Sequence, residues 1–273
     1  ILGKREDGYH LMDMVMQTID LYDEITIEAS DEIRVSADAP GVPEGPGNIA
    51  WKAADAFFRE TGLSCGAVIS IRKRIPSQAG MAGGSADAAA VLTGLNALYQ
   101  AGLSLEQLQQ IGVKVGADVS YCLVGGTARV TGIGEKVVPM PQMREGFAVV
   151  VKPQAGTSTA EAFRRFDAAT GLKRPDNERL LEAMAAGKLS RLGEYMENVL
   201  EQSEQNPAVA EAKAALLRCG ALAAQMTGSG SAVFGIFAEE AAAQQCWESL
   251  GREGRQVFLT RPVSFGVEIL NLE

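Results

Sequence analysis

Histidine is almost missing from the 273 residues: His10 stands alone, beside four cysteines, Cys65, Cys122, Cys219 and Cys246. No two cysteines form a CxxC pair, so nothing supports a zinc site of cysteine and histidine. The thiols read instead as scattered and reduced, as in a cytoplasmic protein. No run reaches the roughly 18 apolar residues of a membrane span. Lys4, Arg5, Glu6 and Asp7 interrupt any signal peptide at once. Positive charge is in deficit, with 25 Lys and Arg against 34 Asp and Glu, a net charge of −9 and a pI near 4.9. Such a surface repels a phosphate backbone, so nucleic acid is not an expected partner. A phosphorylated small molecule would have to be held locally, by backbone dipoles, metal ions and a few basic side chains. The chain also opens Ile1-Leu2-Gly3 without methionine, which reads as the end of an apolar strand that starts upstream.

The composition that is there, 47 % apolar and 22 % charged, is that of an ordinary globular chain. The length fits one large domain or two modest ones. Alternation predicts strands at 24–29, 32–37 and 67–72. Asn48 is expected to cap a helix to about Thr61, with Trp51, Ala54, Phe57 and Phe58 on one face. The stripe Ala88, Val91, Leu92, Leu95 and Tyr99 predicts a helix that Gly102 ends. Ser104 and Gln107 have the spacing of a capping box. Strand-like runs follow at 126–132 and 136–139.

A second unit is expected from about Gly146. It has an apolar strand at 147–151, helices at 159–166 and 179–196, and a helix that Asn206-Pro207 opens and Gly220 closes. Strands at 222–226 and 232–237, a helix at 238–250 and a strand at 256–260 complete it. Without strict βα alternation, the fold class is α+β in two parts, 1–145 and 146–273.

The sharpest motif is Pro76, Ser77, Gln78, Ala79, Gly80, Met81, Ala82, Gly83, Gly84, Ser85 and Ala86, between a strand and a helix expected to start near Ser85. Phosphate oxygens need many donors at short range. Bare N–H groups supply them where no Cβ intervenes, so Gly80, Gly83 and Gly84 are expected to give close approach and positive φ. The helix dipole points at the same place. Ser85 adds a hydroxyl, available to a magnesium ion on the phosphates. No Gly-Lys-Ser/Thr follows, so this is not a Walker A loop, and the spacing is not the dinucleotide GxGxxG. A tight strand-to-helix turn with no ligand would use the same residues.

The loop resembles the second motif of the GHMP kinases, with the family's serine pair reduced to Ser85 and Ala86. Gly3-Lys-Arg-Glu-Asp-Gly-Tyr-His10, with Met16-Gln17, is similar to the N-terminal signature of one branch, whose alcohol substrate carries a cytidine. Gly116-Ala-Asp-Val119 is similar to the segment with the catalytic aspartate, and Thr227-Gly-Ser-Gly-Ser231 to the third motif. Order and spacing agree over nearly the whole chain. The resemblance implies a ribosomal-protein-S5-like first half and a ferredoxin-like second half. It implies an ATP-dependent small-molecule kinase, with Mg2+ as the expected ion. It implies the loop as phosphate cradle, Asp118 as the base, and Tyr9, His10 and Phe163 as a clamp on the base of the substrate.

Each of these residues has a plainer reading. Asp118 could cap the next turn, His10 could lie in an exposed turn, and Phe163 could be core. Asp87 is read as structural, because a carboxylate facing the loop would repel phosphate. The family's first motif, Pro-x-Lys-x-Asn-like, would lie upstream of Ile1, and Lys4 does not replace its lysine. A GHMP kinase acting on another alcohol, or a nucleotide-binding module without catalysis, remains open at this point.

Overall fold

The structure is a computed structural model that describes residues 1–143, 145–251 and 255–271. The chain begins with a short strand β1 (Gly3–Lys4) and β2 (His10–Gln17), then β3 (Glu24–Ser30), β4 (Arg34–Ala37) and α1 (Ile49–Thr61). It continues with β5 (Gly66–Arg72), α2 (Gly83–Leu98), α3 (Leu105–Val115), α4 (Val119–Val124), β6 (Thr127–Gly132) and β7 (Lys136–Pro139). The remainder is β8 (Phe147–Lys152), α5 (Thr159–Ala168), α6 (Asn177–Ala185), α7 (Leu192–Tyr195), α8 (Pro207–Arg218), β9 (Ala223–Met226), β10 (Val233–Phe237), α9 (Glu240–Gly251) and β11 (Gln256–Thr260).

The local signals act as their chemistry requires. Asn48 Oδ1 accepts from the Ala50 N–H at 2.8 Å and starts α1. Asn206 does the same for α8, with Pro207 at its first position. Ser104 and Gln107 exchange both bonds of a capping box. Removing the Ser104 hydroxyl frees a first-turn N–H, so Ser104→Ala should cost about 1 kcal/mol in urea unfolding. Gly102 does not end α2: the helix stops at Leu98, and Gln100 takes the positive φ of 49° at the exit.

Among the described residues, three sheets result. β1-β2-β6-β7 and the mixed sheet β3-β5-β4 belong to the first half, β4 running parallel to β5. The second half is an antiparallel sheet ordered β11-β8-β10-β9. Helices α5 to α8 separate its first two strands and α9 its last two, which is the ferredoxin-like βαββαβ arrangement. One core gathers Phe57, Ile69, Leu92, Leu95, Ile111 and Val130. A second gathers Val149, Val151, Leu216, Met226 and Phe237, and Ile1 joins it.

Three features tie the halves together. Val263 N–H donates to Thr18 O at 2.9 Å, bringing the segment after β11 back to the first half. Arg129 on β6 grips Asp13 on β2 through two 2.9 Å bonds and reaches Glu178 on α6 at 2.7 Å. Ala79 from the glycine-rich loop packs with Val150 and Ala232. Among the described residues, no helix is long and apolar enough to cross a membrane.

Candidate active site

The loop between β5 and α2 lies on the turn between β9 and β10. Ala232 N–H donates to Ala79 O at 3.0 Å, and Thr227 Oγ1 donates to Gly80 O at 3.1 Å. Gly80 has φ +70°, and a Cβ there would overlap the Thr227 carbonyl oxygen and reach 2.7 Å from Gly230 N. The two glycine motifs are therefore pressed backbone to backbone.

The remaining loop geometry corrects the sequence expectation. Gln78 and Ala82, both at φ 53°, share the positive φ with Gly80, while Gly83 and Gly84 are helical. α2 begins at Gly83 rather than near Ser85, because the left-handed Ala82 already turns the chain into the helix. Cβ atoms at Gly83 and Gly84 would meet Ile75 at 2.9 Å and Ile49 at 3.2 Å, so these glycines admit neighbouring side chains. Ala82 has no side-chain acceptor, so no cap covers the first-turn N–H groups of α2. They are free to meet an anion.

The turn that carries Asp118 faces this helix start. A Cβ on Gly116 would lie 3.9 Å from Ser85 Oγ. Asp118 holds the N-cap position of α4, yet its side chain makes no capping bond. The carboxyl is thus not used as the plainer reading requires. Asp118 lies half-buried on the cleft wall, and desolvation holds its pKa above the ordinary value. α4 itself escapes sequence reading, since its 6 residues are too few to show a helical period.

Asp23, Lys73 and Asp87 form a buried triad at the edge of the loop. Lys73 Nζ donates to Asp87 Oδ2 at 2.8 Å and to Asp23 Oδ2. Burial opposes the charge on Lys73, but the two carboxylates together outweigh it and raise its pKa. The pKa of Asp87 is raised, chiefly by burial, and its Oδ1 has no hydrogen-bond partner among the described residues. Asp87 is thus held by Lys73 at the edge of the loop. No spacing in the sequence links Asp23 to Lys73, which are 50 residues apart.

The expected clamp has a different form. The His10 ring lies on Phe163, with centroids 4.6 Å apart and planes at 25°. His10 Nε2 bonds Asp167 Oδ1 at 2.6 Å, and Lys4 Nζ bonds Oδ2 of the same carboxylate at 2.6 Å. His10 is therefore not in an exposed turn: it opens β2 and covers the face of Phe163 expected to meet a base. Tyr9 is 58 % exposed at the rim. Asp167 went unnoticed in the sequence, although it stands four residues after Phe163 and hence on the same side of α5.

Tyr9, His10, Phe163, the loop, Asp87, Asp118 and the 227–230 turn line one cleft of about 2120 Å³ between the halves. Among the described residues, no group of three or more His, Cys, Asp or Glu could hold a metal ion alone.

Residues 48–126 match the family model described as GHMP kinases N terminal domain, and 168–256 the one described as GHMP kinases C terminal. The chain is 44 % identical over 275 residues to 4-diphosphocytidyl-2-C-methyl-D-erythritol kinase of Carboxydothermus hydrogenoformans, covering 100 % of this chain and 95 % of the relative. It is 40 % identical to the kinase of that name from Clostridium tetani over 266 residues, 96 % of this chain and 95 % of the relative. A crystal structure of 4-(cytidine 5'-diphospho)-2C-methyl-D-erythritol kinase superposes with TM-score 0.79 at 30 % identity, over 94 % of this chain and 92 % of that one. Homoserine kinase from Cytophaga hutchinsonii reaches the same TM-score of 0.79 at 20 % identity, over 92 % of this chain and 90 % of that one, a likeness of fold. With its glycine loop, its uncapped helix start and both family models in register along its length, this chain belongs to the GHMP kinases.

Proposed function

We propose that this chain transfers the γ-phosphate of ATP to the 2-hydroxyl of 4-diphosphocytidyl-2-C-methyl-D-erythritol, a step of the non-mevalonate isoprenoid route. The observation that carries the reading is the uncapped start of α2 facing the Asp118 turn across Ser85. Residues 76–86 hold the ATP phosphates through main-chain N–H groups and the helix dipole. Asp118, free of a capping bond, orients the attacking hydroxyl or takes its proton as the oxygen reaches phosphorus.

GHMP kinases take ATP as phosphate donor, generally with a divalent metal. The residues here fit Mg2+ carried by the nucleotide, since among the described residues no group of three or more carboxylates, histidines or cysteines could hold the ion by itself and Ser85 offers one hydroxyl at the helix start. When bound, the ion neutralises charge on the phosphates. The four cysteines are free thiols, which suits the cytoplasm. The acidic chain suits a small-molecule substrate rather than a nucleic acid.

Tyr9, His10 and Phe163 form the cytidine subsite. A base can stack between Tyr9 and Phe163 once the His10 ring swings off Phe163 to a hydrogen-bonding position. Tyr9→Ala should raise KM for the cytidyl alcohol by about tenfold and leave KM for ATP unchanged, because one stacked ring is worth about 1–3 kcal/mol. Equal effects on both substrates would place Tyr9 in the fold instead.

The experiment that tests the whole reading is a steady-state assay with ATP and the cytidyl alcohol, followed by identification of the phosphorylated carbon. Turnover of homoserine, mevalonate or galactose in preference would overturn it.

A further inference from the structure

We propose that Asp23, Lys73 and Asp87 act as positioning residues, a buried bracket that fixes the two ends of the glycine-rich loop relative to each other. The proposal rests on the reading that this loop holds the ATP phosphates. Asp23 Oδ1 accepts the N–H of Arg74 at 2.6 Å and of Ile75 at 2.8 Å, immediately before the loop. Its other oxygen takes Lys73 Nζ, which donates onward to Asp87 on α2, immediately after the loop. Entry and exit of the loop are thus tied through one ammonium group.

Stability alone does not account for this arrangement. The side chains are 7 %, 2 % and 4 % exposed for Lys73, Asp23 and Asp87. Buried ion groups of this kind are often replaceable by apolar residues with no loss of stability. Asp87 Oδ1 is also left without a partner, a further cost of keeping a carboxylate there. Burial pushes the Asp87 carboxyl up to about 7, and whether or not it is protonated the triad carries no net positive charge, so its field does not favour an incoming polyphosphate. What it does supply is geometry. Phosphate binding through N–H groups depends on their directions, and an error of about 1 Å can cost about 10²-fold.

A direct phosphate contact by Lys73 is the competing reading, and Asp23 separates the two. If Lys73 bound phosphate itself, removing Asp23 would free the ammonium and leave ATP affinity equal or tighter. In the bracket, removing Asp23 unties the loop entry and weakens ATP.

The test measures ATP binding by calorimetry, KM for each substrate, and amide hydrogen exchange of residues 77–82, in the whole chain. Lys73→Met and Asp23→Ala are both expected to weaken ATP about tenfold, speed exchange in the loop, and leave KM for the alcohol within about twofold. Lys73→Arg should recover most of the loss. Asp23→Asn keeps the shape and covers the case in which a harsher variant fails to fold; it should give a smaller loss in the same direction. Unchanged loop exchange with unchanged ATP affinity in folded Lys73→Met overturns the bracket, as does tighter ATP binding by Asp23→Ala or Asp23→Asn. Failure of the unsubstituted chain to bind ATP would instead overturn the assignment of the loop.

Discussion

Asp118→Asn is expected to lower kcat by about 10²-fold or more while ATP affinity stays nearly unchanged. The amide keeps the size of the carboxylate and cannot accept a proton. The variant should also fold normally, because Asp118 makes no capping bond for α4 that the amide could lose.

The pH dependence follows from the raised pKa. Burial disfavours the charged form, so the folded pKa of Asp118 lies above its ordinary 3.8. Catalysis needs the ionised form, so kcat should rise with pH through that raised value. Stability runs the other way. A carboxyl whose folded pKa is raised favours the folded state while protonated and loses that contribution as pH climbs through the folded pKa. Asp118→Asn removes the loss. Its Tm relative to the parent should therefore increase as the pH rises from the ordinary carboxylate range through the raised pKa of Asp118, and level off above it. A variant with near-normal kcat, or one that melts earlier at every pH, would make Asp118 a structural residue.

Much of this architecture can be read from single residues. Asn48, Ser104 and Asn206 announce helix starts because each places an acceptor over a bare N–H, a local interaction that needs no partner far along the chain. The glycine loop and the Thr227–Ser231 turn are legible as motifs. Their contact is not, since 147 residues separate Thr227 from Gly80. β2 is hidden for another reason. His10-Leu-Met-Asp-Met-Val-Met-Gln17 is mostly half-buried on both faces, and its three methionines, flexible and poor in strand preference, give no clean alternation.

The site follows the same division. Asp118 and the loop stand in small-residue turns whose chemistry is local. The Asp23–Lys73–Asp87 triad and the His10–Asp167 pair arise only when distant segments fold together, and a charged residue in sequence gives no hint of a buried partner. The His10–Phe163 stack shows how tertiary contact alters what the sequence suggests: the three expected clamp residues line one cleft, yet an imidazole rather than a gap lies against Phe163.

Gly80→Val should raise the Kd for ATP by about 10²-fold or more, the largest loss expected from any glycine of the loop. Two costs coincide there. A β-branched residue at φ +70° is strained by about 1–3 kcal/mol. Its Cβ would also overlap the Thr227 carbonyl, which belongs to main chain and cannot swing aside. The loop must lift off the β9–β10 turn, losing the bonds from Ala232 N–H and Thr227 Oγ1, and with them the direction of its free N–H groups. Gly84 supplies the control. It is helical, and a Cβ there would meet only Ile49 Cγ2 at 3.2 Å, the end of a side chain that can yield by a few tenths of an ångström. Gly84→Ala should therefore bind ATP within about threefold of the parent, helped by the better helix propensity of alanine. Calorimetry on the two folded variants decides between a loop positioned by its contact with the β9–β10 turn and one in which Gly84 leaves room for phosphate. Intact binding by Gly80→Val, or its loss in Gly84→Ala, would reverse the assignment and bring the phosphates onto the α1 side of the helix start.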